Sequence, residues 1–327
     1  MAITIFGKGR RGGPRRTETG GLFGPTGRLR RGGRPTVPEP SRRTPEGDGS
    51  SLRLLSLNIA HARRKSQHQS LLREPTIRRN LSLIAGLIER EEPHVVALQE
   101  ADGPSSWSGK IDHVETISEL AGYAHAFRGE HSHPSMSRLD LSYGTALLSR
   151  LPLEAPRSLA FQQNWRDTKG FVAATICPEA LGGESIDVVS IHLDFLADRV
   201  RKKQVEQLVD TFRGHARHLI VMGDFNCSWN ERRKSLDLLH RELRLRPFAE
   251  LASPTYPAWR PLVRLDWILI SEGLDFAGYH TLFDRVSDHL GIVADVKSRS
   301  AAHRHPVVDP RVRAADQPRR LPSVSLA

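Results

Sequence analysis

Short runs of apolar residues alternate along the middle of the chain with longer segments whose apolar residues recur every three or four positions. The runs are too short for helices and indicate buried strands, whereas the longer spacing indicates amphipathic helices. Strands are predicted at 52–58, 95–100, 123–128, 143–149, 170–176, 186–193, 219–223, 264–270 and 290–296. Helices are predicted at 76–92, 111–122 and 197–213. This mixture of elements indicates an α/β sandwich.

The two ends of the chain lack this pattern. Residues 1–50 are rich in Gly, Pro, Arg, Thr and Ser, and residues 298–327 carry no apolar period. Such segments bury too little apolar surface to offset the entropy of ordering, so we expect both to be disordered tails around a folded domain at 51–297. The N-terminal tail could bind nucleic acid or anionic lipid as a basic arm, or it could be a solvated tail without that role.

The positive charge of the protein is concentrated in these ends. The net charge is +11. Residues 1–50 hold 11 Lys/Arg against 4 Asp/Glu, and residues 297–327 hold 7 against 2, whereas the middle holds 30 against 31. A nearly neutral folded part argues against a non-specific nuclease on long duplexes, whose affinity depends on contacts between basic side chains and phosphates.

The cysteine content and the hydropathy of the chain indicate its cellular compartment. The two cysteines, Cys177 and Cys227, form no C-x-x-C or paired framework, so a reducing compartment is expected. No apolar run reaches the ~18 residues of a membrane span, and the first residues lack the apolar core of a signal peptide. We therefore expect a cytoplasmic monomer without a transmembrane segment.

Polar side chains are found at the ends of the predicted strands. They are Asn58, Glu100, His192 with Asp194, Asp224 with Asn226, and Ser287 with Asp288 and His289. Alternate residues of an extended segment face the same side, so Asp224 and Asn226 should point into one cavity. A carboxylate beside an amide suits a hard cation or a phosphate-bound water, although an Asx turn after a strand would give the same letters. Asp194 is interpreted as structural.

One carboxylate, Asp266, lies inside an apolar strand rather than at its end. A carboxylate is costly to bury unless it is paired. His289 is the natural partner, because a carboxylate on one imidazole nitrogen fixes the tautomer and raises the basicity of the other.

The whole set of segments, in this order, resembles the endonuclease/exonuclease/phosphatase superfamily over about residues 52–296. The resemblance implies a DNase I-like fold, a four-layer α/β sandwich with two central, mostly antiparallel sheets flanked by helices. It also implies Mg²⁺-dependent hydrolysis of a phosphoester by in-line attack of water, with Mn²⁺ as a substitute for Mg²⁺. By this resemblance Glu100 is the principal metal ligand, with Asn58 beside it and Asp288 as a further ligand.

The same resemblance implies the catalytic roles. Asp224 would orient the attacking water, and Asn226 would hold a phosphate oxygen. His289, oriented by Asp266, would be the general base or would stabilise charge. His192 would donate to the phosphate in the transition state. An imidazole at the position of His192 favours the nuclease, sphingomyelinase, phosphatase and deadenylase branches over the abasic-site endonucleases.

Further residues are candidates for substrate contacts. Lys169 could contact a phosphate or simply be a surface lysine at a strand start. Trp107 could stack on a base or rest on a lipid, or it could cover the core, and His113 could reach the phosphate. A zinc site is a weaker alternative for three histidines of one segment, His125, His131 and His133, because no Cys or further ligand accompanies them.

The sequence therefore predicts a metal-dependent phosphodiesterase or nuclease and leaves DNA, RNA, a phospholipid and an inositol phosphate open as substrates. A phospholipid or inositol-phosphate phosphoesterase is the alternative within the class, and no hydrophobic hairpin for membrane insertion stands out. The alternative of another class is a non-catalytic scaffold that holds nucleic acid or membranes through its basic tails.

Overall fold

A computed structural model describes residues 51–68, 72–105, 108–129, 131, 143–161, 169–227, 236–248 and 253–299. Two candidate residues, Trp107 and His133, lie outside the described residues, as do residues 1–50 and 300–327 of the predicted tails.

Twelve strands in the described part of the chain form two six-stranded sheets. In chain order the first four are β1 (Leu52–Asn58), β2 (Val95–Asp102), β3 (His125–Arg128) and β4 (Tyr143–Ser149). The next four are β5 (Glu154–Ala160), β6 (Gly170–Ile176), β7 (Ile186–His192) and β8 (His218–Asp224). The last four are β9 (Leu245–Pro247), β10 (Asp266–Ser271), β11 (Leu274–Thr281) and β12 (Ile292–Ser298). The order is β11-β12-β1-β2-β4-β3 in one sheet and β5-β6-β7-β8-β10-β9 in the other.

Most neighbouring strands are antiparallel, and each sheet has one parallel pair at its centre. These pairs are β1 with β2 and β7 with β8, and each is connected through a helix. The carboxyl ends of parallel strands meet at one edge of a sheet, which is where ligands bind in α/β proteins. In both sheets the predicted site residues lie at this edge.

The described helices cover the outer faces of the sheets. They are α1 (Glu74–Glu91), α2 (His113–Ala121), α3 (Asp198–Phe212) and α4 (Leu236–Leu243). The first two pack on the β1 sheet and the last two on the β8 sheet, and a third apolar cluster fills the space between the sheets. The four-layer sandwich expected from the resemblance is therefore confirmed. None of the described helices has the length and apolar character needed to cross a membrane.

A buried polar contact joins the two sheets close to their shared edge. The Oγ atom of Ser190 in β7 donates to the carbonyl of Leu98 in β2 at 3.0 Å, and Nε2 of Gln99 donates to Ser190 Oγ at 3.1 Å. Both side chains are fully buried. Because a buried polar group is costly unless it is hydrogen-bonded, these bonds favour one register of the two sheets and fix the spacing of the strand ends.

The helix predicted at 76–92 begins two residues earlier than expected, at Glu74. The predicted helix began after Pro75, but a proline is tolerated in the first turn because the amide it lacks would have no helical partner. The helix predicted at 111–122 forms at His113–Ala121, after Asp112, whose carboxylate accepts hydrogen bonds from the amides of Val114 and Glu115.

Four elements were not predicted, namely β5, β9, β11 and α4. Strand β5 is an edge strand with mostly exposed or half-exposed side chains and contains Pro156, so it has no apolar run. Strand β11 is also an edge strand, with a register shift between Phe276 and Gly278 that breaks its alternation. The predicted strands at 264–270 and 290–296 begin two residues late, at Asp266 and Ile292.

Candidate active site

A cleft of about 670 Å³ opens at the edge where the parallel strands of both sheets end. Its lining includes most of the sequence-predicted site residues, namely Glu100, Lys169, His192, Asp224, Asn226, Asp288 and His289. The other two, Asn58 and Asp266, are buried and contact the lining residues from behind. The structure thus brings together these nine predicted site residues.

Asp224 is the centre of the hydrogen-bond network. Its Oδ2 atom accepts from Nδ2 of Asn58 at 3.0 Å, and its Oδ1 atom accepts from the amide of Asn226 at 2.9 Å. Two imidazoles lie nearby, with Nε2 of His192 at 3.5 Å and Nε2 of His289 at 3.7 Å from Oδ2. The carboxylate is 1% exposed, so these groups replace water as its surroundings.

Gly223 allows β8 to bring Asp224 to this position. A Cβ atom at residue 223 would lie 2.0 Å from the carbonyl oxygen of Ile191 on β7, and φ is 153°. Only glycine permits so close an approach of two backbones with this torsion.

His289 and Asp266 form the predicted pair. Nδ1 of His289 lies 2.9 Å from Oδ2 of Asp266, and Asp266 is directly opposite Asp224 in the antiparallel register of β10 and β8. Oδ1 of Asp266 is buried and has no hydrogen-bond partner among the described residues. The pairing fixes the imidazole so that its Nε2 atom faces Asp224 and the cleft.

Glu100 projects into the cleft from an irregularity in β2. The register of β2 against β4 shifts between Leu98 and Ala101, and Glu100 has a left-handed φ of 53°. A β-bulge re-aims a side chain, and such bulges are common next to active sites. The irregular backbone therefore turns the carboxylate of Glu100 towards the other strand ends.

His61, which the sequence interpretation missed, connects Glu100 to a second buried carboxylate. Nε2 of His61 lies 3.2 Å from Oε2 of Glu100, and Nδ1 lies 2.7 Å from Oδ1 of Asp102. His61 has a left-handed φ of 54° in the turn after β1. Its only sequence signal is its place three residues after Asn58, in the polar segment between the predicted strand at 52–58 and the predicted helix at 76–92.

The charges around Glu100 favour its ionised form. Burial disfavours the carboxylate, but the positive charge of His61 and Lys169 outweighs burial and holds the pKa of Glu100 well below its usual range. Oε1 of Glu100 lies 3.9 Å from both Nζ of Lys169 and Nε2 of His192. A carboxylate that stays ionised on the wall of a cleft is a suitable cation ligand.

The pKa values of His289 and Asp224 are both raised. Burial disfavours the imidazolium of His289, but Asp266 and Asp224 outweigh it and raise the pKa to about 10. Burial raises the pKa of Asp224 to about 6, against the opposing effect of His289. At neutral pH His289 is protonated and Asp224 is a carboxylate close to its titration point, which suits an acid and a base respectively.

His192 is neutral in this environment. Burial is the main reason that its pKa lies well below the ordinary value, and Lys169 lowers it further. Nζ of Lys169 lies 3.0 Å from Nε2 and 3.2 Å from Nδ1 of the ring. Lys169, one of the weaker sequence candidates, is therefore at the centre of the cleft rather than on the open surface.

Asn226 and Asp288 both form hydrogen bonds with neighbouring residues on the cleft wall. Nδ2 of Asn226 donates to the carbonyl of Leu193 at 2.9 Å, and its backbone has a left-handed φ of 48°. The carboxylate of Asp288 accepts from the guanidinium of Arg63 through Oδ2 and is 3.4 Å from the hydroxyl of Ser287 through Oδ1. The role of Asp288 as a metal ligand stays a prediction.

The donor atoms of the site fit a divalent cation. In the described part of the chain, Asp224, Asp266 and His289 place potential ligand atoms within 4.8 Å of one another, and the carboxylate oxygens are the available ones because His289 is protonated and paired with Asp266. Oε1 of Glu100 faces the cleft, while Oδ1 of Asn58 accepts one bond from the amide of Ala60 and retains a second lone pair. Oxygen donors of this kind suit Mg²⁺ or Mn²⁺.

Two of the weaker candidates lie away from the cleft. His113 is fully buried, and its Nδ1 atom accepts from the amide of Asp102 at 3.2 Å, so it does not reach a phosphate in the cleft. His131 is 1% exposed, and its Nε2 atom pairs with Thr145 Oγ1 at 2.9 Å. It belongs to no group of metal-ligand residues in the described part of the chain. Asp194 is structural as predicted, since its carboxylate accepts from the amides of Leu196 and Ala197.

Comparison of the sequence with models of protein families gives a match. The sequence model described as the Endonuclease/Exonuclease/phosphatase family matches residues 55–289. A comparison with curated proteins by sequence finds no match.

Among solved structures, an endonuclease/exonuclease/phosphatase from Beutenbergia cavernae is 23% identical, with a TM-score of 0.58 over 77% of this chain and 72% of that one. The human nocturnin catalytic domain with bound sulfate anion is 22% identical, with a TM-score of 0.58 over 76% and 95%. A humanized D. rerio TDP2 is 16% identical, with a TM-score of 0.55 over 76% and 100%. These likenesses concern the fold.

Proposed function

Because the chain belongs to the endonuclease/exonuclease/phosphatase family, we propose that it hydrolyses a phosphoester in the cleft with the aid of a divalent cation, Mg²⁺ or Mn²⁺. The observation that carries the proposal is the convergence of Asp224, the Asp266–His289 pair and ionised Glu100 on one cleft. A base, an acid and a cation ligand in reach of one another are what phosphoester hydrolysis requires.

Glu100 would hold the cation through Oε1, because Oε2 is taken by His61. Oδ1 of Asn58 is the second proposed ligand atom, and Asp288 is a third candidate. When bound, the cation would neutralise charge on the phosphoryl oxygens as a Lewis acid.

Asp224 is the proposed base. Its pKa of about 6 leaves it ionised at neutral pH yet basic enough to accept a proton from a water. The side-chain amide of Asn58 donates to Oδ2, and the backbone amide of Asn226 donates to Oδ1. These two bonds fix the direction in which the carboxylate faces the cleft. A water held on this carboxylate would be oriented for in-line attack on phosphorus, and its proton would pass to Asp224.

His289 is proposed to stabilise charge rather than to act as the base. Paired with Asp266 and raised to a pKa of about 10, it is already protonated at neutral pH and has no free lone pair to accept a proton. Nε2–H, 3.7 Å from Asp224 Oδ2, is instead placed to donate to an anionic oxygen in the cleft. Preorganised donors of this kind lower the barrier where negative charge develops.

Lys169, His192 and Asn226 would hold the remaining phosphoryl oxygens. Lys169 brings a cation to within 3.0 Å of His192, and the neutral His192 can donate one N–H without adding charge. The cleft therefore has a cationic wall suited to a tetrahedral oxyanion. The related nocturnin domain holds a sulfate anion in its solved structure, which is an anion of that shape.

The test is a hydrolysis panel with the purified full chain in Mg²⁺, with and without EDTA. The substrates are single-stranded RNA, plasmid DNA, an abasic-site duplex, sphingomyelin, a phosphatidylinositol phosphate and a chromogenic phosphodiester. Glu100→Gln and His289→Asn are compared with His280→Asn, a control whose histidine is half-exposed on the edge strand β11.

EDTA-sensitive hydrolysis of at least one class, lost in the two site variants and kept in the control, is the expected result. Hydrolysis that survives Glu100→Gln and His289→Asn would overturn the proposal. A folded protein that hydrolyses none of the substrates would favour the scaffold alternative.

A further inference from the structure

The mouth of the cleft is bordered by two loops that expose large apolar side chains. The loop between β7 and α3 exposes Phe195 by 63% and Leu196 by 77%. The loop before β10 exposes Trp259 by 58% and Leu262 by 64%. Phe195 and Leu196 line the cleft from the first loop, as Val263 does from the second.

This apolar surface is concentrated in one place. Eight large hydrophobic side chains are exposed in the described part of the chain, and five of them belong to these two loops. Isolated exposed apolar residues are ordinary, but a group around a polar cleft marks a site that contacts an apolar ligand or surface. We name these five residues, Phe195, Leu196, Trp259, Leu262 and Val263, the apolar rim.

Hydrogen bonds between side chains and the backbone hold the first loop in its protruding form. Oδ1 of Asp194 accepts from the amides of Leu196 at 2.9 Å and Ala197 at 2.7 Å. The amide of Asp194 donates to Oε1 of Gln204, and its carbonyl accepts from Arg201 at 3.1 Å. Phe195 and Leu196 thus lie at the tip of a loop whose base is fixed to helix α3.

The second loop is fixed in a similar way. An isolated β-bridge joins Tyr256 to Val263, and the amide of Leu262 donates to the carbonyl of Tyr256 at 2.9 Å. The segment between them, with Trp259 at its turn, projects as a short closed loop. Both halves of the apolar rim are therefore presented by the folded backbone.

Cationic side chains accompany the apolar rim. Arg260 is exposed between Trp259 and Leu262, and Arg199 is exposed three residues after Leu196. The second loop contains no Asp or Glu between residues 256 and 264. Next to the first loop, Asp198 balances the charge of Arg199, so it is the second loop that combines positive charge with apolar tips.

We propose that the cleft acts at a lipid surface, where it takes the headgroup phosphoester of an anionic phospholipid while the apolar rim enters the boundary between headgroups and acyl chains. Apolar side chains flanked by Arg are the composition that binds such an interface, because burial and attraction to anionic lipids add together. This inference rests on the proposed function, since it assigns a substrate class to the same cleft.

A single-stranded nucleic acid is the competing occupant, and the rim favours lipid. Bases bind to proteins by stacking on the flat faces of aromatic side chains. Leu196, the most exposed side chain of the rim, and Leu262 have no such face. Aliphatic side chains at the outermost positions are suited to contact with the acyl chains of lipids.

The test is sedimentation of the full chain with sucrose-loaded vesicles of phosphatidylcholine, with and without phosphatidylserine. The double variant Leu196→Ser/Leu262→Ser is compared with Leu120→Ser/Phe283→Ser, whose residues are exposed by 50% and 67% but do not line the cleft. All proteins carry the same basic tails, so the difference between the variants reports the rim alone. Measurements at raised salt remove most of the contribution of the tails.

We expect the rim variant to lose about tenfold or more in affinity for phosphatidylserine vesicles, because it lacks two leucines that would be buried in the membrane, and the control to bind as the wild type does. Equal binding of the rim variant and the control would overturn the inference. Rim-dependent binding of a single-stranded RNA in place of vesicles would overturn it in favour of nucleic acid.

Turnover of a soluble chromogenic phosphodiester by the wild-type protein separates this inference from the proposed function. Hydrolysis of the soluble diester without rim-dependent vesicle binding would refute the lipid surface and leave the proposed function standing. Rim-dependent vesicle binding by a protein that hydrolyses neither the diester nor phospholipid would refute the proposed function instead.

Discussion

Nε2 of His61 lies 3.2 Å from Oε2 of Glu100, while the opposite ring nitrogen lies 2.7 Å from Oδ1 of Asp102. The imidazole thus connects a buried carboxylate to the proposed metal ligand. It occupies one oxygen of Glu100 and leaves the other facing the cleft. Residues that orient a metal ligand in this way affect metal affinity without touching the metal.

His61→Asn is therefore expected to weaken Mn²⁺ binding by about tenfold to a hundredfold, because Glu100 loses the group that fixes its orientation. Electron paramagnetic resonance of free Mn²⁺ measures this affinity directly and independently of turnover. The control is His215→Asn, at the opposite end of strand β8. Equal Mn²⁺ affinity in His61→Asn and wild type would show that His61 does not position Glu100.

The rate of hydrolysis should depend on pH as a bell-shaped curve. Asp224 must lose its proton to act as a base, so the rate should rise through a pKa of about 6. His289 must keep its proton to stabilise charge, so the rate should fall through a pKa of about 10. The measurement is kcat/KM for a chromogenic phosphodiester from pH 5 to about 10.5. A rate that falls across the acid limb as pH rises would contradict the assignment of Asp224 as base.

Asn58→Asp should move the acid limb of this curve to higher pH. The substitution places a second carboxylate where an amide now donates to Oδ2 of Asp224 at 3.0 Å, and a like charge raises a carboxyl pKa. Asn58→Ala, which removes this hydrogen bond together with the proposed ligand atom Oδ1 but adds no charge, should move the limb in the same direction by less. An acid limb at the same pH in both variants would mean that Asn58 does not influence the base.

Gly223→Ala should destabilise the fold by about 2 kcal/mol or more. The added Cβ would lie 2.0 Å from the carbonyl oxygen of Ile191, and neither backbone can move without breaking the pairing of β7 and β8. The control is Gly86→Ala in helix α1, where nothing lies within 4 Å of the new Cβ. Urea unfolding of both variants measures the difference, and equal stability would contradict the close approach.

Acid should destabilise the protein through its buried histidines. Burial lowers the pKa of His131 to about 3 and that of His113 to about 4, whereas an unfolded histidine titrates near 6.5. The unfolded state therefore binds protons first, so the stability these residues contribute is complete above about pH 6.5 and is lost as pH falls towards 3.

The measurement is the urea midpoint between pH 7 and about 4, where His131→Asn should lose less stability on acidification than the wild type. His280→Asn, on the surface, should keep the wild-type slope. A wild-type slope in His131→Asn would show that this histidine does not titrate on unfolding.

The sequence allowed the central strands and most of the site to be predicted, because buried strands are apolar runs and their ends carry the polar groups. Asn58, Glu100, His192 and Asp224 were found in this way, and the structure places all four at one edge. Three of the four edge strands, β5, β9 and β11, were missed because they lack a clear apolar period, as in β5, where no side chain is fully buried.

The partners of the site residues could not be predicted from the chain alone. His61 reaches Glu100 because both residues have left-handed backbone torsions. The local sequence around neither residue indicates such a torsion. The apolar rim was missed for a different reason. Only two residues separate Phe195 and Leu196 from the end of β7, so in the sequence they resemble the core residues of that strand, and their exposure in the structure separates them.

The most direct test of the central claim is Mg²⁺-dependent hydrolysis of a chromogenic phosphodiester by the wild type and by Glu100→Gln, with EDTA removal and Mg²⁺ readdition. The account predicts that EDTA abolishes turnover by the wild type, that Mg²⁺ restores it, and that Glu100→Gln recovers only at much higher Mg²⁺. Hydrolysis that persists in EDTA, or a Glu100→Gln protein with the Mg²⁺ dependence of the wild type, would contradict it.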